Sequence, residues 1–472
     1  MNRNTPPYLF FWLFLLLLGI PQGCTNSTPS DDNAPAADSS QLHKPRVPKW
    51  AKNAVLYEVN IRQFTPEGTF KAFEAHLPRL KKMGVDILWF MPIHPISKRK
   101  RKGSLGSPYA VADYYRVNPE FGTLEEFKAL VAKIHNMGMY VIIDWVPNHT
   151  GWDHPWIEQH PEWYTHHPTA DTIMHPTDRG KPTDWYDVAE LDHSNPELRA
   201  ELIRAMKFWV EEIGVDGFRC DTAHNVPEVF WNEMGDVLYA IRPLFLLAET
   251  EEPFHRNSGN FVADYGWTLH HLMNQIAQGQ ASALAIPKYL KADAEKYSQG
   301  YHVYFTSNHD ENAWHGSVFE RMGDAHKVMA VLAATLNGMP LIYGGQEAPL
   351  RRRLAFFEKD SINWDDYAYA NFYHTLFELK HRNKALWNGK DGGPVEVIHT
   401  GKDDKVFAFQ REKDGDKVVV VLNLSDEMQT IRLEGDSFSG SYNNVFANST
   451  MLLTGDMAVQ LGPWDYIVLS NK

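Results

Sequence analysis

The sequence predicts an α/β protein: a TIM-type (β/α)8 barrel interrupted by one long excursion, then an all-β sandwich domain. Three observations carry this. From Trp50 to about Lys390, eight β-type runs alternate with helical patterns. Several of those runs end in polar and acidic residues, and barrel enzymes place their chemistry at the C-terminal ends of strands. After about Lys390 the pattern becomes short alternating runs separated by turns such as Asp414-Gly415.

The expected barrel strands are Val55–Ile61, Ile87–Met91, Tyr140–Trp145, Gly217–Cys220, Phe245–Ala248, Asn260–Asp264, Val303–Thr306 and Pro340–Tyr343. Helical stretches between them include Phe70–Met83, Leu124–Met137, Pro196–Ile213 and Ala325–Leu336. Thr150–Asp192 is too long for an ordinary strand-to-helix connection. It is rich in Trp, His and Pro, but the spacing of His166, His167 and His175 fits no standard metal site. The expected sandwich strands are Lys405–Gln410, Val418–Leu424, Thr430–Leu433 and Tyr466–Leu469.

The N-terminus reads as a targeting segment. Met1–Pro7 carries Arg3 and no acid, and Tyr8–Ile20 is an apolar run too short for an easy membrane span. Cys24 follows Gly23, and Ile20–Cys24 resembles a bacterial lipoprotein cleavage box. On that reading Cys24 is lipidated and anchors an exported chain to the cell envelope. The alternative is an ordinary signal peptide that releases a secreted or periplasmic protein. Thr25–Val47, poor in apolar residues, reads as a disordered tether. The expected divisions are residues 1–23 (signal), 24–48 (tether), 49–390 (barrel, with the excursion at 150–192) and 391–472 (sandwich).

Composition narrows the function. Hydrophobic content of 43% and charged content of 22% are ordinary for a globular chain of 472 residues. A net charge of −13 argues against a nucleic-acid partner. The one basic run, Lys98–Lys102, reads as a solvated loop. The fifteen Trp and twenty Tyr mildly favour stacking on sugars. Cys24 and Cys220 are the only cysteines, which excludes a cysteine zinc site, and no disulfide between them is expected.

The chemistry sits at four strand ends: Asp144–His149, Gly217–Asp221, Leu246–Glu249 and Phe305–Asp310. Arg219 and Asp221 are two residues apart and share one strand face, and a guanidinium favours an ionised carboxylate, as a nucleophile requires. Glu249 ends an apolar run with no basic neighbour in sequence, a setting that keeps a proton on a general acid. Asn308 and His309 before Asp310, and Asn148 and His149, offer hydrogen bonds to sugar hydroxyls. Each feature alone also reads as an ion pair, a helix-start acid, a turn residue or a loop pair. Four such ends together point to one site of paired carboxylates, as glycoside hydrolysis uses.

These four segments resemble, in order and spacing, the four signatures of the α-amylase family (glycoside hydrolase family 13). Gly84–Pro92, Ser107–Tyr115 and Gly338–Glu347 resemble further family segments. The resemblance runs from about Trp50 to the C-terminus. It implies a retaining hydrolase of α-1,4-glucosidic bonds in starch, maltodextrin or related α-glucans. It makes Asp221 the nucleophile, Glu249 the acid/base and Asp310 the third carboxylate. Tyr109, His149, Arg219 and His309 become partners of the reacting glucose, the 150–192 excursion becomes a short domain B, and no organic cofactor is implied. Many α-amylases carry Lys-His where this chain has His224-Asn225, so the family's structural Ca2+ is in doubt, although Asn148 and Glu190 occupy other positions that hold it. Val188–Asp192 and Ser107–Ala110 also depart from the family pattern, which bears on chain length and bond preference. Rival readings are an α-glucan transglycosylase on the same scaffold and a non-catalytic glycan-binding lipoprotein. The short Tyr8–Ile20 run sets aside a transporter subunit.

Overall fold

The computed structural model describes residues 47–447, 449–455 and 457–472. The expected signal segment, Cys24 and all but the last two residues of the expected tether lie outside the described residues. Eight parallel strands close the barrel: β1 (Leu56–Val59), β2 (Ile87–Phe90), β3 (Tyr140–Trp145), β4 (Gly217–Cys220), β5 (Phe245–Ala248), β6 (Ala263–Tyr265), β7 (Tyr301–Phe305) and β8 (Met339–Tyr343). Side-chain alternation sorts each strand. Leu56, Ile87, Ile142, Phe245, Leu247, Val303, Phe305, Met339 and Leu341 fill the interior. Val55, Tyr57 and Val59 instead join the cluster packed against the surrounding helices. Trp50 closes the bottom by stacking on Tyr140, with ring centroids 3.9 Å apart.

The expected elements need local corrections. The Phe70–Met83 helix is two helices, Phe70–Glu74 and Leu77–Met83. Pro78 has no amide hydrogen for the bond a continuous helix would make, and it sits instead in the first turn of the second helix. The first expected strand stops at Val59, and the chain turns into a short helix, Ile61–Phe64. The sixth starts later, at Ala263; just before it the Phe261 amide donates to the His255 carbonyl of the preceding helix. The Pro196 helix is capped by Asn195 and ends at Phe208, where a π turn, Trp209–Ile213, begins. The basic run is not a free loop: Lys102 pairs with Asp184 and Asp187 at 3.4 and 3.5 Å, and Lys100 lies 3.3 Å from the centre of the Trp152 ring.

Strands β9 (Glu396–Ile398), β10 (Val406–Lys413), β11 (Asp416–Asn423), β12 (Gln429–Arg432), β13 (Gly440–Asn444), β14 (Ser449–Leu453), β15 (Ala458–Leu461) and β16 (Tyr466–Ser470) form the C-terminal domain. A six-stranded sheet, β9-β10-β11-β16-β13-β14, faces the pair β12-β15. Between them lies a core that includes Val419, Val421, Ile431 and Leu461. Asp414 and Gly415 both have positive φ, as the two-residue turn of the β10–β11 hairpin requires. The other face of β10 and β11, with Phe407, Phe409, Val418 and Val420, belongs to the core of the barrel domain. Arg411 fixes that interface. It is wholly buried, and its guanidinium donates to the carbonyls of Thr335, Leu336, Trp387 and Gly393.

Two stability predictions follow from this packing. A Cβ at Gly217 would lie 1.8 Å from the Phe245 carbonyl oxygen, and φ there is +156°. Gly217→Ala is therefore expected to cost about 3 kcal/mol or more. Arg411→Leu leaves four buried carbonyls without a donor, an expected loss of about 3–5 kcal/mol. Chemical denaturation of each variant against the parent measures both.

Candidate active site

The carboxylates stand one residue beyond their strands and are still held by the sheet. The Asp221 amide donates to the Trp145 carbonyl at 2.8 Å, and the Glu249 amide to the Cys220 carbonyl at 3.0 Å. Both side chains therefore keep the inward direction set by the strands below. Arg219, one pleat beneath Asp221, is wholly buried. Its Nη1 donates to Asp144 Oδ1 at 2.9 Å and to Asp221 Oδ1 at 2.8 Å. Its Nη2 lies 2.5 Å from Glu249 Oε1, and its Nε donates to the Tyr265 hydroxyl at 3.1 Å. Arg219, expected beside the reacting sugar, thus lies beneath the carboxylates and works by holding them.

The setting of Glu249 differs from the sequence expectation in one respect. It has a basic neighbour, because the guanidinium on β4 reaches across to β5. Its carboxyl is nevertheless pushed up to about 8, because burial outweighs the attraction of Arg219, and the charges of Asp221 and Asp310 add to the rise. Thr222 directs its amide at Glu249 Oε2, 2.7 Å away, from a left-handed backbone conformation with φ 41° and ψ 44°. Asp144 is likewise raised by burial, and it accepts hydrogen bonds from Trp89 and Tyr109, both at 3.2 Å.

A second cation balances the other side. His309 Nδ1 lies 2.5 Å from Glu58 Oε1. Its Nε2 is 2.8 Å from the Tyr109 hydroxyl and 3.3 Å from Asp310 Oδ2. Burial would lower the His309 pKa, but the charges of Asp310 and Glu58 outweigh it and raise it well above the usual imidazole value. Burial would raise Asp310, yet the imidazolium holds it down to about 2. Tyr109 stacks on His309, with centroids 5.5 Å apart. His149 starts the short strand that pairs with Val188–Glu190, and burial lowers its pKa, which keeps the ring neutral. Asn308 Oδ1 accepts from the Glu311 amide at 2.8 Å, while its buried Nδ2 has no hydrogen-bond partner among the described residues.

The structure thus brings Asp221, Glu249, Asp310, Tyr109, Arg219 and His309 into one connected network, with His149 within reach of the Asp221 charge. Four partners escape sequence reasoning: Glu58, Trp89, Thr222 and Tyr265. Glu58 had a readable signal, as a lone acid inside an apolar strand at the inward parity of Leu56. The other three had none.

The positions implicated in calcium binding lie in a hydrogen-bonded junction between the excursion and the barrel. Asn148 Nδ2 lies 3.2 Å from His149 Nδ1, and the Asn148 backbone carbonyl accepts from the Leu191 amide. His224 Nε2 contacts Asp178 at 2.8 Å, and Asn225 Oδ1 accepts from the Arg179 amide. The excursion is therefore tied to the turn after β4 by direct hydrogen bonds. Among the described residues no three His, Cys, Asp or Glu side chains gather into a metal site.

The comparisons agree with this geometry. Residues 36–392 match the model of the α-amylase catalytic domain, and residues 395–468 that of the maltogenic amylase C-terminal domain. The chain is 27% identical to the α-amylase MalA of Haloarcula japonica over 89% of its own length, and spans 63% of that protein. It is 25% identical to a cyclomaltodextrinase of a Bacillus species, covering 86% of this chain and 78% of the relative. It superposes on the noncanonic maltogenic α-amylase AmyB of Thermotoga neapolitana with a TM-score of 0.78 at 27% identity, covering 89% and 98% of the two chains.

Two outcomes are expected of the network. A general acid must be protonated, so kcat/KM should fall as pH rises through about 8, and a pH–rate profile measures it. Glu58→Gln removes the charge that holds the His309 imidazolium, and kcat/KM should fall about tenfold to hundredfold in steady-state assays at neutral pH. With three carboxylates on one guanidinium at the C-terminal end of a closed parallel barrel, and with the family model matching residues 36–392, the chain belongs to the α-amylase family of glycoside hydrolases.

Proposed function

We propose that the protein hydrolyses α-1,4-glucosidic bonds of starch, maltodextrin or related α-glucans with retention of configuration. The observation that carries this is one buried guanidinium that contacts both Asp221 and Glu249, with Glu249 raised to about 8. Asp221 attacks the anomeric carbon while Glu249 passes its proton to the glycosidic oxygen, which leaves with the rest of the chain. The glycosyl–Asp221 ester then meets water. Glu249, now ionised, takes a proton from that water as its oxygen attacks the same carbon and displaces Asp221. Asp310 and His309 grip the sugar as positive charge develops at its ring, and Tyr109 supports its face.

The test uses maltoheptaose, soluble starch, pullulan and cyclodextrin, with products resolved over time. Short maltooligosaccharides from the parent, and a loss of about ten-thousandfold or more for Asp221→Asn, support the reading. Glu249→Gln should lose activity on maltoheptaose by about a hundredfold to ten-thousandfold yet still form the glycosyl-enzyme from α-maltosyl fluoride, whose leaving group needs no proton. Products longer than the starting maltoheptaose would make the enzyme a transglycosylase. No turnover of any α-glucan by a folded parent would contradict the assignment.

We also propose export to the cell envelope with a lipid on Cys24. The Tyr8–Ile20 run ending shortly before Gly23-Cys24 supports it. Incorporation of labelled palmitate into the full chain, lost in Cys24→Ala, is the expected result; a soluble, unlabelled chain contradicts it.

A further inference from the structure

Trp314 is large, aromatic and half exposed, at 49%. It does not stand on a loose surface loop. It lies in a π turn, Glu311–His315, that begins directly after Asp310, and the turn is braced from both sides. Glu311 is buried against His270 at 3.0 Å and Arg321 at 3.8 Å. Asn312 exchanges hydrogen bonds with the backbone of the segment after β8: its Nδ2 donates to the Arg352 carbonyl, and its Oδ1 accepts from the Leu354 amide. That segment is joined in turn to the loop after β2, where the Leu105 amide donates to the Phe357 carbonyl at 3.0 Å and the Ser104 amide to Glu358 Oε1 at 2.9 Å.

This bracing presents one aromatic track. Tyr109 and Phe356 are near-parallel, 10° apart, with centroids 6.3 Å apart. Phe356 and Trp314 follow at 5.2 Å. The track therefore starts at the ring beside the reacting sugar and ends on the exposed indole. Its direction is also set. Glu249, after β5, protonates the leaving oxygen, so the leaving half of the chain departs on that side. The track runs the other way, past Asp310 after β7 to the segment after β8.

Resting on the hydrolase reading above, we propose that Trp314, backed by Phe356, is a binding platform for the second glucosyl unit on the non-reducing side of the scissile bond. Aromatic faces bind the apolar face of a pyranose, and a rigid ring does so with little ordering cost. Trp314 is then a specificity-determining residue. It makes the enzyme prefer substrates that place at least two glucosyl units on the non-reducing side.

The experiment compares α-glucosyl fluoride, which fills only the reacting position, with α-maltosyl fluoride, which adds one unit on the non-reducing side. Fluoride has no sugar to bind on the leaving side. The readout is the ratio of kcat/KM for maltosyl over glucosyl fluoride in the parent, Trp314→Ala and Trp314→Phe, each checked by thermal melting. The proposal expects the parent to favour the maltosyl substrate, Trp314→Ala to lower the ratio at least about tenfold, and Trp314→Phe to keep most of it. An unchanged ratio in a folded Trp314→Ala overturns it, including the case where only maltoheptaose turnover falls, which would put the indole on the leaving side. Equal losses on both fluorides in both variants also overturn it, since they mark a purely structural role. Failure of the parent on both fluorides and on all α-glucans would instead remove the hydrolase reading itself.

Discussion

The site depends on a single buried guanidinium. Arg219 touches carboxylates from three successive strands: Asp144 on β3, Asp221 after β4 and Glu249 after β5. Burying an unpaired arginine is expensive, and so is burying carboxylates without donors, so each group makes the others tolerable. The reach across strands comes from the backbone. Gly217 leaves no Cβ between β4 and β5, where any side chain would strike the Phe245 carbonyl. The same parity that places apolar side chains in the lower barrel then places Arg219 on the layer above them.

Charge count explains why Glu249 and Asp310 differ. Five acids, Glu58, Asp144, Asp221, Glu249 and Asp310, share two cations, Arg219 and His309. They cannot all ionise cheaply in a buried setting. The imidazolium sits between Glu58 and Asp310 and holds Asp310 ionised. Glu249 is left with a shared guanidinium contact and two acidic neighbours, so it retains its proton. Glu249 and Asp310 are thus driven to opposite protonation states by their surroundings, the kind of separation that acid–base chemistry near neutral pH uses.

Much of this was legible because it obeys short-range rules. The period-two spacing of Arg219 and Asp221, the apolar run before Glu249 and the alternation of strand and helix patterns all survive folding unchanged. Relations between strands were not legible. Glu249 has no basic neighbour in sequence, yet Arg219 is one strand away. Glu58 lies about 250 residues from His309 along the chain. The short strands Gly440–Asn444 and Ser449–Leu453 at one end of the C-terminal sheet carry mostly polar or exposed residues and offered no alternation to read. The left-handed Thr222, a β-branched residue in a conformation usually left to glycine, is visible only once the backbone is known.

The central claim is that Asp221 becomes covalently bonded to the sugar while Glu249 handles the proton. Incubation with a fluorinated α-glucosyl fluoride that forms the intermediate but hydrolyses slowly, followed by proteolysis and mass spectrometry, tests it most directly. The account predicts one fluoroglucosyl adduct, formed with loss of the anomeric fluoride, on the peptide that contains Asp221. An adduct on Glu249, or inactivation-free turnover with inverted product, would contradict it.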